Sequence, residues 1–264
     1  MTGLLAKAAR DQRRGLIGWG IGVAAVVLMY AAFYPSIRES AADLQAYLDN
    51  LPDAIRSIVA TEDYTSPSGY LQSEFFNTMG PLVVLIFAIG AGSRAIAGEE
   101  EAGTLDLLLS TPVRRRQVLA TKAVAIVVAA AALGAVAAVA IGAFGPLFDL
   151  SVPLGDVAAA CMMLTLLGVA FGAIAFAVGA WTGHRAIANA VAGGLAVVAF
   201  IVHAIGPSVD WLRPLRPLSP FRWYQEPGLL TGGLHAANLA VLAGIAIVCY
   251  AIAFVTFNRR DLAS

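Results

Sequence analysis

Residues 98–117 read GEEEAGTLDLLLSTPVRRRQ and lie between two hydrophobic stretches that are each long enough to cross a membrane. Thr104 can cap a helix through the leucines that follow it, and Pro112 favours a second helix start, where its missing N–H costs nothing. A short helix in this water-facing loop would expose four large apolar side chains: Leu105, Leu107, Leu108 and Leu109. We therefore expect another protein to cover this apolar surface.

The composition of the chain indicates an integral membrane protein. Of its 264 residues, 59% are hydrophobic and only 13% are charged, and the mean hydropathy is +0.78. A typical soluble domain carries about 25% charged residues. The formal net charge is zero, which gives no indication of a nucleic-acid partner. The two cysteines, Cys161 and Cys249, lie in apolar segments, so we interpret them as buried core residues.

Six apolar segments reach the roughly 20 residues that a bilayer core demands. We expect them to form six transmembrane helices in one all-α membrane domain that covers residues 1–264. The basic segment 2–14 predicts an amphipathic helix on the inner membrane surface. A frayed basic flank is the alternative for this segment. The expected spans are 16–34, 75–97, 118–144, 157–181, 186–205 and 236–257.

The distribution of charge predicts the side of the membrane that each loop occupies. Twelve of the 17 basic residues lie on one side, in the N-terminus, the 98–117 loop, the 182–185 turn, the C-terminus and the adjoining span ends. The other side holds five basic residues and eleven of the 17 acidic residues. The side richer in basic residues faces the cytoplasm. Both termini and the 98–117 loop are therefore expected to be cytoplasmic.

The sequence lacks the signatures of several enzyme classes. Its three histidines have no partner at the spacing of a zinc-binding helix, and no GxSxG nucleophile motif occurs. Because no Gly-Lys-Ser/Thr phosphate loop occurs either, we expect no catalytic residue, cofactor or metal on this chain. The acidic run 99–101 is interpreted as a solvated cluster. A membrane-embedded enzyme would have to build its site from Asn189, His203 and Thr165.

Small residues form stripes on three spans, where they let helices approach closely. The stripe of the fourth span, Gly168 and Gly172, is expected to pack inside the bundle. The stripes of the first and fifth spans are candidate contacts between two copies of the chain or two paralogous chains. They consist of Gly18 and Gly22, and of Ala186, Ala190 and Gly194.

The proline-rich loop 206–235 leaves two interpretations open. Pro214, Pro217 and Pro220 follow each other at three-residue spacing, which suits a polyproline II turn. The aromatic residues of this loop are typical of a membrane interface. The loop is either an interfacial segment or a segment that dips back into the outer leaflet beside the bundle.

These features resemble the permease subunits of ABC-2 type exporters. The run from Glu99 to Arg115 is similar to the pattern E-x-x-x-G-T-L-(D/E)-x-L-L-(S/A)-x-P-(V/I)-x-R that follows the second span of those permeases. Lys122 stands at the head of the next span, as in the family. The basic start, the six spans and a Leu-Ser-Pro-Phe segment at 218–221 before the last span also match.

The resemblance implies a machine of two permease chains with two cytoplasmic ABC ATPase chains bound below them. ATP and Mg²⁺ would be bound by the ATPases. In the family, the first inner loop supplies a coupling helix that sits in a groove of the ATPase. Carried over to this chain, that helix comprises Thr104, Leu105, Asp106, Leu107, Leu108, Leu109, Ser110 and Thr111. The residues expected to flank the contact are Glu99, Glu100, Arg114, Arg115 and Arg116.

The resemblance predicts that the chain is the permease of an ATP-driven exporter in the plasma membrane. Its spans carry almost no ionisable residues, so we expect a hydrophobic or amphipathic substrate that moves outward. A membrane subunit with a gating, signalling or assembly role is the alternative. The second permease is either identical or a paralogue, and membrane lipid is expected to surround both.

Overall fold

The computed structural model describes residues 2–40, 66–104 and 115–259, with side chains from residue 15 onward. Its framework is six helices that are long and apolar enough to cross a membrane, which confirms the six predicted spans. Most of them extend beyond the apolar segment expected from the sequence. We label them α1 to α6: Thr2–Glu39, Pro67–Glu101, Arg115–Phe144, Leu154–Thr182, Arg185–Ile205 and Ala236–Arg259.

Helix α1 is longer than the membrane span that it contains. It runs for 38 residues without a break, so it extends about 57 Å, against roughly 30 Å for the hydrocarbon core of a bilayer. The amphipathic segment expected at residues 2–14 is helical, but it continues directly into the span instead of forming a separate element. Helix α1 therefore reaches beyond the hydrocarbon core.

Helix α4 forms the centre of the bundle and packs against α2, α3, α5 and α6. Within its apolar stretch, 72% of the residues are buried, compared with 17% in α1 and α6 and 22% in α5. The many glycines and alanines of α4 let its backbone approach several neighbours at once. The outer helices α1, α5 and α6 instead expose apolar side chains, as expected for contact with lipid or with another membrane chain.

Helices α2 and α4 approach each other closely through glycines. A Cβ atom added at Gly92 would lie 2.2 Å from the carbonyl oxygen of Gly172, and one added at Gly168 would lie 2.4 Å from Cγ1 of Val84. Only glycine fits at position 92 without a shift of the neighbouring backbone, and at position 168 without a shift of the Val84 side chain. The stripe of the fourth span therefore packs inside the bundle, as predicted.

One end of the bundle gathers the segments predicted to be cytoplasmic. The end of α2 meets the start of α5 there, where Oε1 of Glu101 accepts a 2.8 Å hydrogen bond from the backbone N–H of Arg185. The guanidinium of Arg115 lies 6.0 Å from the ring centroid of Phe257, which joins the start of α3 to the last turn of α6. We call this the basic end. Its cations with described side chains are Arg94, Arg115, Arg116, Lys122, Arg185 and Arg259.

The loop between α5 and α6 re-enters the bundle from the opposite end. It forms a 3₁₀ turn at Arg213–Leu218 and a short helix at Pro220–Gln225, which packs against α4, α5 and α6. The ring of Phe221 lies 6.0 Å from that of Phe171, a residue about 25 Å along α4 from its first residue. This depth favours the second of the two interpretations left open by the sequence.

Hydrogen bonds tie this re-entrant segment to α2. The Tyr224 hydroxyl donates to the carbonyl of Phe76 at 2.8 Å. The side-chain oxygen of Gln72 accepts from the backbone N–H groups of Leu229 and Leu230, each at 3.1 Å. Gln72 and Phe76 belong to a π-helical stretch of α2, Gln72–Met79, which is wider than a regular α-helix. The end of α2 opposite the basic end is therefore held by buried polar contacts.

Candidate functional site

The acidic residues at the end of α2 bridge to two other helices. Glu99 pairs with Lys122 of α3, and their side chains are only 33% and 16% exposed. Glu101 accepts the backbone N–H of Arg185 and also lies 4.0 Å from Nδ1 of His184. Because Glu99 is paired and half-buried, the interpretation of a solvated cluster is wrong for this residue. The end of α2 is therefore fixed to the starts of α3 and α5.

Most of the expected coupling helix lies outside the described residues. Its first residue, Thr104, donates from its hydroxyl to the carbonyl of Glu99 at 3.2 Å. On the far side of the loop, Arg116 is exposed at the start of α3, beside Arg115. The following predicted contacts have no described position: Leu105, Asp106, Leu107, Leu108, Leu109, Ser110, Thr111 and Arg114. The coupling helix and the flanking roles of Glu99, Glu100, Arg115 and Arg116 stay predictions.

A groove of about 740 Å³ separates α2 from α5. Trp19 of α1 borders it, and Phe221 of the re-entrant segment borders it as well. Its long walls are apolar and consist mainly of Leu82, Leu85, Ile86, Ile89, Ala196 and Val197. Its size is that of a typical small-molecule pocket. The groove offers a large, mostly apolar space in a single copy of the chain.

Polar residues occupy the two ends of this groove. Asn77 and Thr78 lie at the end away from the basic end. Arg94 of α2 and Arg185 of α5 lie at the basic end, and Asn189 lies one helical turn above Arg185. The groove therefore changes from charged to apolar along its length.

A second cavity of about 320 Å³ lies beside the basic end, between α1, α2 and α3. Glu99 and Lys122 line it, and Trp19 and Arg94 border both cavities. One carboxylate oxygen of Glu99 is buried here and has no hydrogen-bond partner among the described residues. The Glu99–Lys122 ion pair that joins α2 to α3 therefore lies directly next to the groove.

The small-residue stripes of α1 and α5 remain open. A Cβ added at Gly18, Gly22 or Gly194 meets no atom within 4 Å. Ala186 and Ala190 are exposed on α5. No described part of this chain covers either stripe closely, so both are accessible to lipid or to a second chain.

The comparison with known protein families decides the class of the chain. A family model described as "ABC-2 family transporter protein" matches residues 3–262. The chain belongs to the ABC-2 transporter family. This confirms the resemblance seen in the sequence. No curated protein matches the sequence.

Membership in the ABC-2 family indicates the role of the chain and the kind of partner it works with. This ABC-2 chain is a multi-pass membrane protein and a membrane component of a transporter. The family works with ABC ATPases in general, so it implies such a partner. Within residues 2–40, 66–104 and 115–259, no cluster of three His, Cys, Asp or Glu residues could hold a metal ion.

The groove residues of this ABC-2 chain are the part that the sequence did not predict. Arg94 stands near the end of a span, where an arginine usually extends to water, and nothing in the sequence indicates that it lines the same groove as Arg185. The i, i+4 spacing of Arg185, Asn189 and Gly193 predicts one shared helical face. That spacing could have identified one wall of the groove, but not the opposite wall on α2.

Proposed function

We propose that this chain is the permease subunit of an ATP-driven ABC exporter in the plasma membrane, which moves a hydrophobic or amphipathic substrate outward. A separate cytoplasmic ABC ATPase would bind ATP and Mg²⁺ and supply the energy. A second permease, identical or paralogous, would complete the pathway, with membrane lipid around both. No role in binding nucleic acid is proposed.

The attachment of the inner loop to the groove walls carries this proposal. The loop leaves α2 directly after Glu99 and Glu101, which are bonded to Lys122 of α3 and to the backbone of Arg185 in α5. Helices α2 and α5 are also the two long walls of the groove. A force on the loop from a bound ATPase would therefore reach both walls through short, direct contacts. This link is what a coupling element requires.

The open groove favours transport over the gating alternative. A subunit that only gates or assembles a complex needs no space between its helices, and side chains would be expected to fill it. The groove instead leaves about 740 Å³ between α2 and α5. Its walls are apolar over most of their length, which suits a hydrophobic or amphipathic substrate.

The orientation follows from the charges at the basic end. Helices α2, α3, α5 and α6 place basic residues there, and the side of a membrane protein that is richer in lysine and arginine faces the cytoplasm. The inner loop would then face a cytoplasmic ATPase, as the proposal requires. The open stripes on α1, at Gly18 and Gly22, and on α5, at Ala186, Ala190 and Gly194, flank the groove. Two permease chains that met through them would place two grooves at one interface.

A groove-blocking variant tests the transport role. Gly193 lines the groove and has open space around it, so Gly193→Trp should fold while filling part of the groove. The chain would be reconstituted in vesicles with the ABC ATPase that co-purifies with it. The measurement is ATP-dependent outward movement of two fluorescent probes, an acidic phospholipid and an uncharged acyl dye.

We expect ATP-driven movement of at least one probe by the wild-type chain and its loss in Gly193→Trp, with ATPase binding retained. Gly244→Trp is the matched control, because Gly244 on α6 is equally uncrowded but does not line the groove. Movement at the wild-type rate in Gly193→Trp, or equal loss in both variants, would exclude this groove as the pathway. Movement of neither probe by the wild-type chain would count against export of this class of substrate.

A further inference from the structure

Arg94 folds back into the groove instead of extending out of the membrane. Its Nε donates a 2.8 Å hydrogen bond to the carbonyl of Gly90, one turn earlier in α2. Its terminal nitrogen lies 3.3 Å from where a Cβ of Gly90 would be, so the absence of a side chain at Gly90 leaves room for the guanidinium. An arginine at the end of a span normally directs its charge towards water. Here the charge lies against a groove wall.

A second arginine, Arg185, lines the same groove from the opposite wall. Its Cδ lies 4.0 Å from where a Cβ of Gly98 would be, so it passes α2 one turn beyond the Arg94 backbone, while the Arg94 guanidinium turns the other way, towards Gly90. The stretch Arg94–Gly98 is π-helical, a local widening that is frequent at functional sites. Among the described side chains, neither arginine forms an ion pair. Two cations that line the same end of one groove and form no described ion pair favour a bound anion.

Asn189 adds a hydrogen-bond donor to the two cations. It follows Arg185 by four residues, so the two residues share a face of α5, and both line the groove. Its side-chain oxygen is buried away from the groove, so the amide nitrogen is the group that can reach a ligand there. That nitrogen can donate to an anionic oxygen.

The rest of the groove suits a hydrocarbon chain. Beyond Gly90, the wall on α2 is formed by Ile89, Ile86, Leu85 and Leu82. The α-helical part of this wall, Gly80–Ser93, is about 21 Å long, and one leaflet of hydrocarbon is about 15 Å thick. The apolar wall is therefore long enough to accompany an acyl chain through one leaflet.

We propose that the groove binds an anionic amphiphile, with its acidic headgroup between Arg94 and Arg185 and its hydrocarbon chain along α2 and α5. The side-chain amide nitrogen of Asn189 donates to an oxygen of the headgroup. This assignment rests on the proposed function, since it names the class of substrate that the same groove would take. An uncharged amphiphile leaves both arginines without a counter-ion, so the groove discriminates by headgroup charge.

The test measures lipid binding by the purified chain alone, in nanodiscs of phosphatidylcholine. Trp19 borders the groove, and bromine atoms on an acyl chain quench tryptophan emission on contact. Subtracting the signal of Trp19→Phe isolates Trp19, and phenylalanine preserves the ring packing against Phe87. Brominated phosphatidylglycerol and brominated phosphatidylcholine are titrated separately, each in the wild type and in the variants below.

We expect half-maximal quenching at a lower mole fraction of the brominated phosphatidylglycerol than of the brominated phosphatidylcholine. Arg94→Gln and Arg185→Gln should each raise the mole fraction of phosphatidylglycerol needed for half-maximal quenching about fivefold. This is the effect of roughly one cation near a lipid surface. Arg94→Lys and Arg185→Lys keep the charge and should keep the preference, which separates charge from folding. Arg259→Gln removes an exposed charge at the same end but outside the groove, and it should change nothing.

Equal quenching by the two lipids would overturn the proposal. If Arg259→Gln weakened the preference for phosphatidylglycerol as much as the groove variants do, that result would also overturn the proposal. The preference would then reflect the charge of the whole surface. Displacement of the lipid by an equal concentration of soluble glycerol phosphate would assign the arginines to a free anion instead of an amphiphile. Because no ATPase is present, a negative result here leaves the transport experiment unaffected, and a negative transport result leaves this one unaffected.

Discussion

The same glycine motif occurs in α1 and α4 and has opposite surroundings in the two helices. In α4, a Cβ on Gly168 would lie 2.4 Å from Val84, and the carbonyl of Gly172 already lies where a Cβ of Gly92 would be. In α1, a Cβ on Gly18 or Gly22 would meet no atom within 4 Å. A GxxxG spacing thus indicates that a helix can be approached closely, but it does not indicate which helix or chain makes the contact. The closed stripe holds this chain together, and the open one is available to a partner.

The largest effect is expected at the backbone contact between α2 and α4. Gly92→Ala places a methyl group 2.2 Å from the carbonyl oxygen of Gly172, and no side chain can move to relieve that contact. We expect a loss of about 3 kcal/mol or more of folding free energy, or no folded protein. The measurement is thermal unfolding in detergent followed by size-exclusion chromatography. Gly193→Ala, on the groove-facing side of α5 where a Cβ meets no atom within 4 Å, is the control, and equal melting of both variants would contradict the contact.

A smaller loss of stability is expected at Gly168, and a second substitution at Val84 should compensate for part of it. Gly168→Ala clashes only with the Val84 side chain, so we expect a cost of about 1–2 kcal/mol in the free energy of unfolding. Val84→Ala removes the atoms that clash. The free energy of unfolding of the double variant should therefore be closer to that of Val84→Ala alone than the sum of the two single effects predicts. A double-variant cycle on melting temperature checks this, and strict additivity would show that the two side chains do not meet.

The open stripe of α1 should affect association rather than folding. Gly18→Leu combined with Gly22→Leu should not lower the melting temperature of the single chain, because a Cβ at either position meets no atom within 4 Å. If α1 contacts a second permease, association should weaken by roughly tenfold, which is about 1.4 kcal/mol. Fluorescence energy transfer between labelled copies in nanodiscs measures it. Gly244→Leu on α6 is the control, and unchanged association would remove α1 from the interface.

The smallest effect should have the reverse sign. Gly22→Ala adds a methyl group in open space and replaces a residue that is unfavourable inside a helix, so we expect a gain of about 0.5–1 kcal/mol in the free energy of unfolding. Thermal unfolding in detergent compares the melting temperature of Gly22→Ala directly with that of Gly92→Ala. A loss of stability in Gly22→Ala would show that the α1 stripe is packed after all.

The sequence determined the helices well because hydrophobic length alone predicts a span. All six expected segments lie within the six long helices. Local periodicity gave no information on which helix contacts which. The central position of α4 depends on glycine contacts with α2 that join residues far apart in the chain, such as Gly92 and Gly172.

The candidate site was predicted less completely than the fold. The motif at 99–115 identified the family, but the partner of Glu99 is Lys122, beyond the loop, and the partner of Glu101 is the backbone at Arg185. Both contacts depend on how three helices meet at the basic end. Arg94 was expected at a span end with access to water, and the fold-back over Gly90 depends on the shape of the groove. Such features follow from packing rather than from spacing.

The measurement that tests the central claim most directly is co-purification with the ABC ATPase. The chain is tagged, extracted in mild detergent and analysed for a bound soluble ATPase, together with Leu108→Arg in the expected coupling helix. Leu147→Arg is the matched control, since Leu147 is 72% exposed in the 3₁₀ turn Gly145–Phe148 at the end of α3 away from the basic end. We predict an ATPase bound to the wild type and to Leu147→Arg and absent from Leu108→Arg. An ATPase that binds Leu108→Arg equally well, or that binds none of the three, would contradict the claim that the 104–111 segment couples this permease to ATP hydrolysis.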